Sequence, residues 1–200
     1  MINAIIFDFG DVFINLDKQA THDGLKNLGI PEWNEDLDQL NLQYEVGTIT
    51  KEEFLSGIQK HTNNASIEDV SKAWNAILLD FPLYRLEFLQ MLSQKYRLFL
   101  LSNTDAIHID TFEQKSGASF YSDFYQCFEK VYFSFEIGLR KPNPEAFNLI
   151  LEQHGLQAKQ TLFIDDKKEN TDAAAALGLQ VWNLQVGEED VVHLFDKNII

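Results

Sequence analysis

Residues 4–12 of the chain have the sequence AIIFDFGDV, in which four consecutive apolar residues are followed at once by an acid, Asp8. An unbroken apolar run of this length is typical of a strand buried on both faces, as in a parallel sheet covered by helices. In open parallel sheets, ligands bind beyond the carboxyl ends of the strands. The stretch therefore predicts a central strand that places Asp8, Gly10 and Asp11 at a binding edge.

Four more short apolar runs have the length of buried strands: residues 97–102 (RLFLLS), 131–135 (VYFSF), 161–164 (TLFI) and 180–184 (QVWNL). Helix-like stretches separate the later runs, at residues 106–117, 144–154 and 168–177. Gly155 and Gly178 stand where helix-terminating glycines are expected. Because strands alternate with helices, the sequence predicts an α/β fold with a Rossmann-like parallel sheet core.

The long interval between the first and second predicted strands breaks this alternation. Apolar residues recur there at helical spacing, at Leu37, Leu40 and Tyr44, then at Phe54 and Ile58, then at Val70, Trp74, Ile77 and Leu78. We therefore expect a core formed by residues 1–15 and 85–200, into which a small helical cap of residues 16–84 is inserted. The many acids of the cap are expected to form a solvated outer face.

The charge balance excludes some classes of function. The 200 residues include 16 Lys and Arg against 31 Asp and Glu, which gives a formal net charge of −15. Such a charge repels nucleic acid and anionic membrane surfaces at long range, so neither is expected as a partner. A single cysteine, Cys127, excludes an intramolecular disulfide and a zinc site built from several cysteines.

The amino-terminal residues bear on localisation. They read MINAIIFDFGDV and carry no positive charge before the apolar run, so they do not resemble a secretory signal. No apolar run approaches the roughly 20 residues that a membrane-spanning helix needs. We therefore expect a cytoplasmic protein, whose oligomeric state the sequence leaves open.

Polar or charged residues follow each predicted strand from the first to the fourth. They are Asp8, Gly10 and Asp11, then Ser102 and Asn103, then Arg140 and Lys141, and finally Asp165 and Asp166. Because the carboxyl ends of parallel strands meet at one edge, these groups are expected to lie close together. Taken singly, Asp8 or Asp166 is equally well explained as the cap of a following helix, but four such strand ends together favour a site.

The acids of this group predict a metal site. Carboxylates as close as those expected of Asp8, Asp165 and Asp166 repel one another strongly. An Mg²⁺ ion resolves the repulsion, because it favours a few carboxylate oxygens together with water. A backbone carbonyl near Gly10 is a further candidate ligand.

The remaining groups predict a phosphate site beside the metal. The hydroxyl of Ser102, the amide of Asn103 and the ammonium of Lys141 supply donors and positive charge, which suit the oxygens of a phosphate. A carboxylate such as Asp8 can attack phosphorus in line and form an aspartyl-phosphate, which water then cleaves.

Four motifs at the predicted strand ends carry a family resemblance. They are residues 5–12 (IIFDFGDV), 100–104 (LLSNT), 138–147 (GLRKPNPEAF) and 162–170 (LFIDDKKEN). In this order, the motifs resemble those of the haloacid dehalogenase-like (HAD) hydrolase superfamily. The resemblance covers the whole chain, including a helical cap between the first two motifs, and it implies a phosphatase.

The resemblance also implies a role for each candidate residue. Asp8 is the implied nucleophile, and Lys141 shares the catalytic role. The implied substrate-binding residues are Ser102, Asn103 and Lys141. The implied Mg²⁺ ligands are Asp8, the carbonyl of Gly10, Asp165 and Asp166. Which of the last two aspartates is the closer ligand stays open, and Asn170 is a candidate for the surroundings of the metal.

One position departs from the family pattern. Most HAD phosphatases carry a second aspartate two residues after the nucleophile, as general acid and base, and here that position is Gly10. Asp11 is no automatic substitute, because neighbouring extended residues point to opposite sides. A subgroup similar to bacterial α-D-glucose-1-phosphate phosphatase has this Asp-x-Gly-x-Val form. We expect such enzymes to favour leaving groups that need less protonation, such as the anomeric oxygen of a sugar.

The sequence thus predicts an Mg²⁺-dependent hydrolase of a small phosphate monoester, with a sugar phosphate as the candidate substrate. Three alternatives stay open: a dehalogenase of the same superfamily, a mutase or other phosphotransferase, and a non-catalytic module that binds a phosphorylated ligand or a protein. Gly10 favours the module, whereas the retained Asp8 counts against it. No nucleotide-binding P-loop, dinucleotide-binding GxGxxG or GxSxG motif is present in the sequence.

Overall fold

The computed structural model describes residues 1–200 and contains a five-stranded sheet in which every pair of neighbouring strands is parallel. The strands are β1 (Ala4–Phe7), β2 (Arg97–Ser102), β3 (Lys130–Phe133), β4 (Thr161–Asp165) and β5 (Gln180–Asn183), in the order β3-β2-β1-β4-β5. The predicted α/β class and Rossmann-like core are confirmed.

The register of β1 determines which side chains meet at the carboxyl edge of the sheet. Phe7 pairs with Leu100 of β2 on one side and with Ile164 of β4 on the other. The backbone N–H of Asp8 then donates to the carbonyl of Ile164 at 2.9 Å. Asp8 and Asp165 therefore lie side by side, each one residue beyond this pair.

Helices flank the sheet and bury both of its faces. They are α5 (Leu83–Ser93), α6 (Ala106–Ser116), α7 (Ala118–Gln126), α8 (Ser134–Ile137), α9 (Pro144–Gln153) and α10 (Lys168–Ala176). Alternate residues of β1 enter different cores: Ile5 and Phe7 join the cluster that includes α5, α6 and α7, while Ala4 and Ile6 join the cluster that includes α9 and α10. This burial on both sides explains the unbroken apolar run of β1.

Residues 18–77 form a helical insertion between β1 and β2. Its helices are α1 (Lys18–Asn27), α2 (Glu35–Glu45), α3 (Lys51–Gln59) and α4 (Ile67–Trp74), followed by a 3₁₀ turn, Asn75–Ile77. Thr50 and Ser66 cap the starts of α3 and α4. Each side chain accepts from the backbone N–H of Glu53 or Asp69, whose own carboxylate accepts from the backbone N–H of the capping residue. The insertion has a separate apolar cluster, to which the core contributes Ile107 of α6.

Two connecting segments join the insertion to the core, and they are hydrogen-bonded to each other. Asn15 N–H donates to the Asp80 carbonyl at 2.9 Å, and Asp17 N–H donates to the Ile77 carbonyl at 2.8 Å. An antiparallel bridge pairs Leu16 with Leu78 between them. The two connecting segments are therefore joined by a short antiparallel ladder of backbone hydrogen bonds and are not independent linkers.

Several segments differ from the sequence expectation, and α5 was not among the predicted helices. The third strand ends at Phe133 and Ser134 begins α8, where the Ser134 hydroxyl accepts from the N–H of Thr104 and donates to its carbonyl, both at 3.0 Å. A carboxyl-terminal 3₁₀ helix, Val191–Lys197, was not predicted and packs Val191 and Leu194 into the core. None of the helices combines the length and apolar character required to cross a bilayer.

Candidate active site

Asp8 lies directly beyond β1 and is almost completely buried. Its Oδ1 lies 2.7 Å from the ammonium of Lys141. Burial raises the pKa of Asp8 to about 7; Lys141 opposes this effect, and the carboxylates of Asp165 and Asp166 reinforce it. Additional positive charge beside Asp8 would therefore stabilise its ionised form.

Lys141 lies at the centre of the acidic group and is 1% exposed. Its Nζ contacts Asp8 Oδ1 and donates to Asp165 Oδ2, both at 2.7 Å. These two carboxylates outweigh the effect of burial and raise the pKa of Lys141, so the ammonium stays charged. A buried charge that touches two acids bridges the ends of β1 and β4.

Asn103 holds the backbone of Lys141. Its Nδ2 donates to the Lys141 carbonyl at 2.7 Å, and its Oδ1 accepts from the Lys141 N–H at 2.9 Å. Asn103 also lines the cavity described below, as does Ser102. The sequence predicted contact with substrate for Asn103, and the structure adds a positioning role that no motif in the sequence indicates.

The two aspartates at the carboxyl end of β4 have different surroundings. Asp165 is fully buried, and both of its oxygens accept hydrogen bonds: Oδ1 from Lys167 N–H at 2.8 Å, and both oxygens from Asn170 Nδ2 at 3.0 Å. Asp166 lines the cavity, and Lys18 Nζ of the insertion lies 3.7 Å from its Oδ2. Burial and the Asp165 charge raise the pKa of Asp166.

The donor set fits a magnesium ion. Asp8, Asp165 and Asp166 each offer an oxygen, and these oxygens lie within 4.8 Å of one another. The Lys141 ammonium contacts Asp8 and Asp165, and the exposed Lys18 ammonium lies 3.7 Å from Asp166, so three acids share two cations and the group favours a further one. The carboxamide oxygen of Asn170 is buried beside them without a hydrogen-bond partner. An all-oxygen group with excess negative charge is what Mg²⁺ prefers.

A cavity of about 240 Å³ opens above these residues, between the core and the insertion. The predicted site residues that line it are Asp8, Gly10, Ser102, Asn103, Lys141 and Asp166. Asp165 is not among them, because it is buried beneath Lys141 and Asn170. The insertion contributes Asn41, Glu45 and Trp74 to the opposite lining.

A leucine methyl group stands where a side chain at position 10 would project. A Cβ atom placed on Gly10 would lie 2.7 Å from Leu16 Cδ1. Asp11 also lines the cavity, but both of its oxygens have partners: Oδ1 accepts from the Leu16 N–H at 3.1 Å, and Oδ2 lies 2.9 Å from Lys18 Nζ. The structure thus shows apolar volume at the place of the missing aspartate.

Sequence reasoning missed several residues of the cavity lining. Lys18, Trp74, Asp105 and His108 all line it. His108 belongs to none of the four motifs, so the sequence did not connect it with the site. The available signal was the spacing of Asp105 and His108, which places an acid at the start of α6 and an imidazole one turn later.

The protein-family comparison matches residues 2–178 to the haloacid dehalogenase-like hydrolases. Among curated proteins, D-ribitol-5-phosphate phosphatase from Bacteroides thetaiotaomicron is 25% identical over 195 residues, which cover 94% of this chain and 95% of that protein. The finer resemblance to α-D-glucose-1-phosphate phosphatase stays a prediction.

Solved structures agree with this match. A HAD family enzyme from Bacteroides thetaiotaomicron is 36% identical, with a TM-score of 0.88 and coverage of 97% of this chain and 98% of that one. The wild-type form of that enzyme in complex with magnesium and inorganic phosphate is 37% identical, with a TM-score of 0.87 and coverage of 98% and 100%.

A more distant neighbour shows the fold alone. L-2-haloacid dehalogenase from Xanthobacter autotrophicus is 19% identical, with a TM-score of 0.59 and coverage of 92% of this chain and 78% of that one. This likeness does not favour dehalogenase chemistry. The four motifs, the acidic group at the sheet edge and the match over residues 2–178 lead to one conclusion: the chain belongs to the haloacid dehalogenase-like hydrolase family.

Proposed function

We propose that this Mg²⁺-dependent phosphatase hydrolyses a small phosphorylated sugar or sugar alcohol through an aspartyl-phosphate on Asp8. The observation that carries the proposal is the buried Lys141 ammonium, which lies 2.7 Å from Asp8 and 2.7 Å from Asp165 at the base of the cavity. This arrangement holds a nucleophilic carboxylate beside positive charge that suits a phosphate.

Three residues of the chain have separate roles in the proposed reaction. Asp8 attacks phosphorus, so a carboxylate O–P bond forms while the bond to the leaving oxygen breaks. Lys141 and Ser102 hold the phosphoryl oxygens as charge develops on them. Water then cleaves the aspartyl-phosphate, which releases phosphate and restores the Asp8 carboxylate. When bound, Mg²⁺ supplies positive charge to the phosphoryl oxygens.

The surroundings of the two aspartates support different roles for them. Protein donors already occupy both oxygens of Asp165, so its proposed work is to hold Lys141 and Asn170 in place. The Asp166 carboxylate faces the cavity, and its nearest cation is Lys18 at 3.7 Å. Asp166 is therefore the proposed direct Mg²⁺ ligand of the pair, together with Asp8.

The size and lining of the cavity support a small hydrophilic substrate. A volume of about 240 Å³ suits a short phosphorylated metabolite, and the polar side chains of Asn41 and Glu45 line the cavity together with the Trp74 ring. The relative named a D-ribitol-5-phosphate phosphatase supports a sugar-alcohol phosphate. We propose that the insertion, within residues 16–84, acts as the cap over this cavity and that the enzyme works in the cytoplasm.

The test is phosphate release from a panel of phosphorylated metabolites, with Mg²⁺ and with a chelator. We expect turnover of sugar or sugar-alcohol phosphates that the chelator reduces at least about 100-fold, because metal ions at phosphoryl centres supply several kcal/mol of charge stabilisation. Sugar 1-phosphates should be cleaved faster than sugar 6-phosphates, because the anomeric oxygen needs less protonation on leaving.

Two outcomes of the panel count against the proposal. Equal or faster cleavage of the 6-phosphates contradicts the explanation given for Gly10. Absence of release from every member, by folded protein that binds Mg²⁺, contradicts hydrolysis of such monoesters and favours the ligand-binding module.

A separate prediction concerns the space beside Gly10. In the single variant Gly10→Asp, the Leu16 methyl group must move aside before the new carboxyl can enter the cavity, so its gain should be smaller than that of a variant in which residue 16 is also shortened. The double variant Gly10→Asp/Leu16→Ala frees that space. It should cleave sugar 6-phosphates about 10- to 100-fold faster than the single variant, since general acid–base help is worth about 10² to 10⁴ in rate. Initial rates on one 6-phosphate check this, with Leu16→Ala alone as the control; equal rates for the single and double variants would contradict the account.

A further inference from the structure

A buried polar cluster joins the helical insertion to the core at the wall of the catalytic cavity. Its members are Asp105 and His108 at the start of α6 and Trp74 at the end of α4. All three line the same cavity as Asp8. The phosphoryl chemistry proposed above gives none of them a role.

Asp105 accepts donors from both parts of the protein. Its Oδ1 accepts from the backbone N–H of His108, and its Oδ2 accepts from the indole Nε1 of Trp74, each at 3.0 Å. The same Oδ2 lies 3.0 Å from Nδ1 of His108. Burial opposes its charge, but His108 and these hydrogen bonds outweigh burial and lower the pKa of Asp105. The carboxylate is therefore ionised although it is only 3% exposed.

Both ring nitrogens of His108 face acceptors. Nδ1 faces the Asp105 carboxylate, and Nε2 lies 3.2 Å from the backbone carbonyl of Trp74. A neutral imidazole donates a single N–H, so only the doubly protonated ring satisfies both acceptors. Burial disfavours that charge, but Asp105 outweighs the effect and raises the pKa of His108.

The imidazole ring of His108 also stacks on the indole ring of Trp74. The two ring centroids of His108 and Trp74 are 5.2 Å apart with an interplanar angle of 7°. The Trp33 ring also stacks on the indole, with ring centroids 5.9 Å apart. A hydrogen bond from Nε1 and two stacked rings therefore hold the Trp74 side chain in position.

The groups around His108 come from four helices. The charged group among them is the Asp105 carboxylate at the start of α6. The last residue of α4 provides the Trp74 carbonyl, and the Thr21 hydroxyl of α1 donates to the same carbonyl at 3.1 Å. From α2, Tyr44 lies near Asp105, and its pKa is raised by burial and by the Asp105 charge. The protonation of His108 is therefore governed mainly by Asp105.

We propose that His108 is a positioning residue for substrate binding: as an imidazolium held between Asp105 of the core and the Trp74 carbonyl of the insertion, it fixes the Trp74 indole as the cavity wall against the organic part of the substrate. The inference rests on the proposed function, because it assigns this wall to a substrate of that reaction. Since Asp8 and Lys141 belong to the core, loss of the link affects KM more than kcat.

The test compares wild-type enzyme with His108→Gln on the best substrate of the panel. At pH 6.5 the variant should show a KM about 10- to 100-fold higher, as expected for a lost hydrogen bond to a charged group, with kcat changed less than about threefold. His61→Gln is the matched control, because His61 is an exposed residue of the insertion that does not line the cavity. Its KM should equal that of the wild type.

The pH profile distinguishes positioning from general damage. In the wild type, KM should rise as pH increases through the raised pKa of His108. His108→Gln should lack this part of the rise, whereas any change of KM that the titration of Asp8 causes should remain in both proteins. In Asp105→Asn the amide oxygen can still cap α6, but its charge is gone, so the rise should move to lower pH. If His108→Gln does not fold, the wild type and Asp105→Asn alone provide this comparison.

A readout without substrate separates this inference from the proposed function. A protonated imidazole stacked on an indole quenches its fluorescence, so wild-type emission should increase as His108 loses its proton, and His108→Gln should lack the increase. If the wild type releases phosphate while KM and its pH profile are the same in His108→Gln, the positioning role is wrong and the phosphatase stands. If no substrate is cleaved, the proposed function fails, and absence of the emission change then overturns the imidazolium link as well.

Discussion

The Asp8→Asn variant should release phosphate at least about 10⁴-fold more slowly than the wild type, because an amide oxygen cannot form the aspartyl-phosphate and loss of a catalytic nucleophile carries penalties of this size or larger. The side chain keeps its shape, and its amide oxygen can still accept from Lys141, which lies 2.7 Å from Asp8 Oδ1 in the wild type. We therefore expect a folded protein. Initial rates with Mg²⁺ on the best substrate check the prediction.

The matched control for this variant is Asp172→Asn. The Asp172 side chain is 63% exposed and pairs with Lys168 on the surface of α10, outside the cavity. Its turnover should stay within about twofold of the wild type, since surface substitutions of this kind have small effects. Wild-type turnover by Asp8→Asn would show that another group attacks phosphorus.

Lys141→Met should be the most destabilising of the substitutions considered. It leaves Asp8 and Asp165 buried without the ammonium that lies 2.7 Å from each, and removal of one partner from a buried ion pair costs about 3–5 kcal/mol. Turnover should also fall by about 10² to 10³ or more, because a donor to the phosphoryl oxygens is lost. Denaturant unfolding in chelator and initial rates with Mg²⁺ measure the two effects.

Two conditions should reduce the stability loss of Lys141→Met. Added Mg²⁺ should restore part of it, because an ion that binds the folded state alone stabilises that state. Lower pH should also reduce it. A carboxyl whose pKa is raised on folding, as that of Asp8 is to about 7, costs stability as pH rises from its unfolded pKa towards its folded one.

Lys168→Met serves as the control, since the Lys168 side chain is 75% exposed and its ion pair with Asp172 is worth at most about 0.5 kcal/mol. A loss below about 1 kcal/mol for Lys141→Met in chelator would mean that the buried acids do not depend on this ammonium.

The sequence contained most of the information needed for the sheet. The strands of the core are recognisable as short apolar runs, and burial on both faces is what makes these runs unbroken. The end of β3 was less predictable, because Ser134 and Phe135 suit a strand or a helix equally well. In α8 the Ser134 hydroxyl hydrogen-bonds to the backbone of Thr104, and a local sequence pattern cannot show a contact between residues so far apart in the chain.

The site, like the sheet, could be predicted from the sequence only in part. Asp8, Lys141, Asp165 and Asp166 could be proposed from strand ends, since parallel strands bring their carboxyl ends together. Their individual roles stay predictions. The work of Asn103 on the Lys141 backbone, and the approach of Lys18 to Asp11, depend on how loops and the insertion pack against the core. Local sequence patterns do not indicate such packing, so Lys18 and His108 could not be connected with the site from the sequence.

The pairing of Phe7 with Ile164 has a consequence for how this enzyme varies during evolution. The separation of Asp8 and Asp165 is set by the spacing of adjacent strands, about 4.8 Å, which hardly changes among sheets. Insertions or deletions in the connecting loops leave that separation unchanged. Selection can thus remodel residues 18–77 for new substrates while the backbone keeps the nucleophile Asp8 at a constant distance from Asp165.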